Sequence, residues 1–110
     1  MDKKKNKKID CLISSFAREL KKDIPVEKIL LFGSYANGNP REDSDIDVVV
    51  VSPYFSKGKY IRHMQYLFRK AYRISSFLEP IPASPSELKN ADPRLFLGQI
   101  LHGAKVYKFS

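Results

Sequence analysis

The chain has 110 residues, a formal charge of +8 and a hydrophobic fraction of 43%, which suits one compact domain with one core. No apolar run approaches the ~20 residues that a membrane span needs. The lysines at positions 3–5, 7 and 8 lead into an amphipathic pattern, not into the apolar core of a signal peptide. Cys11 is the single cysteine, which excludes an internal disulfide and leaves no partner cysteines for zinc. These features read as a cytoplasmic protein with one domain over 1–110, residues 1–8 forming a flexible basic tail.

In chain order, the first helix is expected over 7–22. Ile9, Leu12, Ile13, Phe16, Ala17 and Leu20 fall on one stripe of it, and Pro25 follows its end. Residues 28–32 read as a buried strand. Gly33-Ser34 turns the chain, Ser34 caps a short helical turn, and Gly38-Asn39-Pro40 breaks it. A second strand covers 45–51 and ends at Ser52-Pro53. A helix over 60–72 is expected to bury Ile61, Met64, Leu67, Phe68 and Ala71, with Arg62, Arg69 and Lys70 outward. The segment 76–82 reads as an edge strand, because Pro80 and Pro82 cannot donate ladder hydrogen bonds. Ser84-Pro85-Ser86-Glu87 starts another helix. A last helix over 93–102 should stop at Gly103, where glycine can turn left-handed, before a short strand at 105–109. The expected fold class is α/β (α+β): a small mixed sheet with helices packed mainly on one face.

The chemistry concentrates between the first two strands. Side chains alternate along a strand, so Asp45 and Asp47 project from the same side. Two carboxylates so close repel each other, and a hard divalent cation such as Mg²⁺ resolves the conflict. The Gly33-Ser34 turn offers backbone amides and a hydroxyl to phosphate oxygens. Gly33 lets the backbone approach a nucleotide closely. Arg41 lies in the spacer, where it could help neutralise a triphosphate or stand as an ordinary loop arginine. Tyr35 could stack or pack. His63 and His102 lack metal-ligand spacing and are expected at the surface or half-buried.

The run Phe32-Gly33-Ser34-Tyr35-Ala36-Asn37-Gly38, followed by Asp43-Ser44-Asp45-Ile46-Asp47-Val48, resembles the signature of the polymerase-β nucleotidyltransferase superfamily. It looks most like the small "minimal nucleotidyltransferases" of bacteria and archaea. The resemblance implies the polymerase-β-like fold, a nucleoside triphosphate substrate and two Mg²⁺ ions, with Mn²⁺ as a substitute. It also implies transfer of a nucleoside monophosphate, AMP first, to a hydroxyl. Metal ligands would be Asp45 and Asp47, with Gly33, Ser34 and Arg41 toward the nucleotide. Two-metal phosphoryl transfer uses a third carboxylate. Glu79 is the candidate, because a strand at 76–82 lying beside the second would bring it to the Asp pair. The superfamily more often has Asp there; some small members carry Glu-Pro and a Ser- or Thr-Pro-x-Glu segment, as in Glu79-Pro80 and Ser84-Pro85-Ser86-Glu87.

Minimal nucleotidyltransferases are often paired with a small helical HEPN protein, in some cases a toxin that they neutralise by nucleotidylation. The resemblance therefore implies an antitoxin-like role, with a homo-oligomer left open. The alternative is a non-catalytic subunit that binds nucleotide or caps a partner. An RNA-binding role is the weakest reading, because aromatic and basic residues are not interleaved in an RNA-recognition pattern.

Overall fold

The computed structural model describes residues 3–33, 36, 45–92 and 94–109, with the backbone alone at 3–6 and 96. Helix α1 spans Lys3–Lys21 and helix α2 Tyr60–Tyr72; the short helices α3 and α4 span Pro85–Lys89 and Phe96–Gly103. The strands are β1 (Lys28–Phe32), β2 (Ile46–Val51), β3 (Leu78–Ala83) and β4 (Lys105–Lys108). They form one four-stranded sheet in the order β3-β2-β1-β4. β1 pairs antiparallel with β2 and with β4, while β2 and β3 are parallel. That parallel pair requires a crossover, which a 3₁₀ turn at Pro53–Ser56 and α2 supply. β3 is an edge, where the missing N–H groups of Pro80 and Pro82 cost no internal ladder bond.

The alternation of β1 and β2 divides the core in two. Ile29, Leu31, Val48 and Val50 face one way, into a large cluster with Ile13, Phe16, Leu20, Leu67 and Ala71 from α1 and α2. Leu30, Val49 and Val51 face the other way, into a smaller cluster with Ala83, Leu88 of α3 and Ile100 of α4. The long helices thus share one face, as expected, and the short helices close the other. Burying a Leu, Ile or Val side chain is worth ~1.5–3 kcal/mol, so the α1–α2 side carries most of the apolar stabilisation.

Three expectations need correction. The backbone of 3–8, expected as a tail, is helical; lysine is a good helix former and no proline intervenes. α2 is rotated from the expected face: it buries His63, Leu67 and Ala71, whereas Ile61 is 61% and Phe68 41% exposed. Two neighbouring stripes of this helix are apolar, and the crossover from β2 to β3 decides which one faces the sheet. His63 is therefore buried, with Nε2 2.6 Å from the carbonyl oxygen of Lys57. Finally, α4 runs through Gly103 to an extended Ala104, and Gly103 is not among the glycines at positive φ. The chain goes straight from helix into strand there and needs no left-handed residue.

Candidate active site

The parallel register of β2 and β3 sets Asp47 directly beside Glu79, and the antiparallel register of β1 and β2 sets Phe32 opposite Asp47. Asp45 stands just before β2, two residues from Asp47 and on the same side by strand alternation. All three carboxyls lie on the face covered by the short helices, the same side as Val49 and Ile81. Asp45 and Glu79 are exposed and Asp47 is half-buried. The carboxyls therefore open to solvent at the end of the sheet where β2 begins.

These groups act on one another. Desolvation pushes the Asp47 carboxyl above its ordinary range, and the charge of Asp45 adds to the rise, while a hydrogen bond with Glu79 partly offsets it. Glu79 is also raised, first by desolvation, then by the charges of Asp45 and Asp47 and by hydrogen bonds to both. The two carboxyls are thus coupled: burial and the neighbouring negative charges disfavour ionising all of them together.

Gly33 shapes the other wall. Its φ of +76° lies in the left-handed region, and a Cβ there would stand 2.6 Å from Asp47 Oδ2. Two demands thus favour glycine here: the backbone conformation and the approach of the carboxyl. Ser34 and Arg41, expected to contact the nucleotide, lie outside the described residues, as does Tyr35. His102 is exposed as expected.

The donors fit a hard cation in kind: carboxylate oxygens on adjacent strands, mutually repelling, beside a glycine cradle that a side chain would fill. Among the described residues no set of three His, Cys, Asp or Glu side chains stands gathered as a finished metal cage. The carboxyls are within hydrogen-bonding reach but are not converged on one point. Phe32, which the sequence reading had not singled out, packs against the smaller core cluster and forms the apolar neighbour of Asp47. The signal was available: strand alternation puts Phe32 on the face of Leu30, opposite Asp47 across the β1–β2 ladder.

The family model described as a nucleotidyltransferase domain matches residues 13–100. The chain belongs to this family. It is 32% identical over 85 residues to a Methanocaldococcus jannaschii protein with the provisional name protein adenylyltransferase MJ1305, a match covering 71% of this chain and 55% of that one. The chain spans about half the length of the curated relatives it matches. A crystal structure of a provisionally named nucleotidyltransferase from Sulfolobus solfataricus superposes with a TM-score of 0.65 and 20% identity, over 88% of this chain and 78% of that one. A structure described as a toxin–antitoxin with AMP-PNP gives a TM-score of 0.59 and 25% identity, over 84% and 69%. The polymerase-β-like fold expected from the sequence is thereby established. No helix among the described residues is long and apolar enough to cross a membrane.

Proposed function

We propose that this nucleotidyltransferase domain transfers a nucleoside monophosphate, most readily AMP, from a nucleoside triphosphate to a hydroxyl on a protein partner, a small helical HEPN-type protein. The observation that carries this reading is the juxtaposition of Asp47 and Glu79 by strand register, with Gly33 against Asp47. The M. jannaschii relative's name supports a protein acceptor, and the toxin–antitoxin likeness supports a paired partner and an adenine nucleotide.

In this reading Asp45 and Asp47 hold Mg²⁺, with Glu79 as the third carboxyl. When bound there, the metal would supply charge neutralisation for the triphosphate and acidify the attacking hydroxyl. The chain's own residues position the reaction. β2 and β3 fix the separation of Asp47 and Glu79, and Gly33 keeps the first turn low enough for phosphate to reach the carboxyls. Ser34 and Arg41 are proposed on the phosphate side. The hydroxyl gives up its proton to solvent as its oxygen bonds to the α-phosphorus, the bond from that phosphorus to the bridging oxygen breaks, and pyrophosphate leaves. Positioning and charge neutralisation together would account for most of the rate gain, as in other phosphoryl transfers.

The test is incubation with labelled ATP, CTP, GTP or UTP, Mg²⁺ and the protein encoded beside this one, followed by intact mass. A nucleotidyl adduct on the neighbour, absent with Asp47→Asn, is the expected result. If both forms neutralise the neighbour equally and neither leaves an adduct, the non-catalytic subunit replaces this reading.

A further inference from the structure

At the far end of β2 from the carboxyls, the chain forms an open cleft of about 630 Å³ between the 3₁₀ turn and the start of α2. Its lining includes Tyr54, Lys57, Gly58, Lys59, Arg62 and His63. At ~3.3 Å per strand residue, the cleft lies on the order of 15–20 Å from Asp47, so it is separate from the proposed active site.

We propose that this cleft binds a nucleoside phosphate unit, with the base stacked on Tyr54 and the phosphate held by Lys57, Lys59 and Arg62. Tyr54 is 53% exposed, yet its ring is braced from beneath. The Phe55 and His63 rings meet it edge to face, with centroids 5.8 and 5.4 Å away. Its backbone N–H donates to Oγ of the buried Ser52 at 3.1 Å. A half-exposed aromatic ring on a fixed support is a stacking platform.

The cations beside it are equally available. Lys57, Lys59 and Arg62 are exposed, and none of them has an ion-pair partner among the described residues. Glu87 faces Tyr60 nearby, but its carboxylate accepts the Ser84 backbone N–H within a capping box. The loop is set in place as well: His63 Nε2 meets the Lys57 carbonyl oxygen at 2.6 Å. Gly58 has a φ of +94°, and a Cβ there would lie 3.1 Å from His63 Nε2. The aromatic and basic residues alternate within 54–63, and the turn of the chain at Gly58 brings Tyr54, Lys57, Lys59 and Arg62 around one cleft.

The shared chemistry can come from a free mononucleotide or from a single-stranded RNA. The test uses the full chain in EDTA, to suppress metal-dependent nucleotide binding at the carboxyls. AMP, inorganic pyrophosphate, an oligouridine of eight nucleotides and a poly-glutamate peptide are titrated with amide chemical shifts as the readout. The expected result is shifts centred on 53–63 with AMP or with the oligonucleotide. Tighter oligonucleotide binding with a steep salt dependence identifies the strand, and equal affinity identifies the mononucleotide. Either source supports the proposal. Tyr54→Ala should weaken both base-bearing probes about tenfold and leave pyrophosphate unchanged; Lys57→Glu with Arg62→Glu should abolish binding of all phosphate probes. The proposal is overturned if neither base-bearing probe shifts 53–63. It is overturned equally if poly-glutamate binds as well as the oligonucleotide, or if Tyr54→Ala has no effect.

Discussion

Asp47 is held between two demands. Its carboxyl and that of Glu79 titrate above their ordinary range in the fold. The folded chain therefore keeps protons that the unfolded chain has released, so the stability they contribute is full below the unfolded pKa and is lost as pH rises through the folded one. Without metal, Asp47→Asn should thus melt at the wild-type temperature or up to about 3 °C higher. That gap should widen as pH rises from about 4 to 7, which thermal melts in EDTA would show. The same variant should lose transfer activity by orders of magnitude in the mass-shift assay, since it removes a proposed metal ligand. Gly33→Ala tests the other wall. Its positive φ and the 2.6 Å approach to Asp47 Oδ2 predict a loss of at least about 1 kcal/mol in chemical denaturation. Activity should fall more than stability does, because the new methyl displaces the carboxyl.

Among the elements, the joints are polar and separable. α3 starts at a capping box: Ser84 Oγ accepts the Glu87 N–H, and the Glu87 side chain accepts the Ser84 N–H. Ser84→Ala should cost about 1 kcal/mol in urea denaturation and loosen the small cluster under the carboxyl face through Leu88. β4 is tied to α1 where the Tyr107 hydroxyl and Lys105 Nζ both donate to Asp10 Oδ1. The Tyr107 hydrogen bond is the main cause that holds the Asp10 carboxyl below its usual range. The linkage here has the opposite sign to that of Asp47: the stability is present above the unfolded carboxyl pKa and is lost as pH falls through the folded one. Tyr107→Phe should therefore flatten the acid limb of the stability curve, with a modest effect because Asp10 is 43% exposed.

On the scale of the molecule, the two faces of the sheet divide the work. Phe16 is fully buried in the larger cluster, and truncating it to Ala should cost about 3–5 kcal/mol. Against a total of about 5–15 kcal/mol for a domain, that variant should show a much lower urea midpoint and lose every activity together. The carboxyl face needs the smaller cluster only to hold β2 and β3 in register. This asymmetry leaves its edge open to solvent, while α1 and α2 supply the stability. α2 is also tied at the surface to α1 and to the turn after it, where Lys70 Nζ lies 4.0 Å from Glu19 Oε1 and 2.9 Å from Asp23 Oδ2.

Much of this was legible in order of local signal. The four-valine run, the β-rich 28–32 and the turn residues between them determine two paired strands without any tertiary information, because strand propensity and punctuation act locally. Asp45 and Asp47 follow on one side from the two-residue period alone, and Ser84-Pro85-Ser86-Glu87 spells its own cap. The placement of Glu79 required a further step, since nothing local states that β3 is parallel to β2 with residue 79 level with residue 47. The choice of face on α2 was beyond local pattern altogether. Two apolar stripes lie side by side on that helix, and only its packing against the sheet selects His63, Leu67 and Ala71. The cleft at Tyr54, Lys57, Lys59 and Arg62 is hidden for the same reason. Its residues are neighbours in the sequence, but they open on one cleft only because the loop turns at Gly58 and docks on a histidine whose burial depends on that packing.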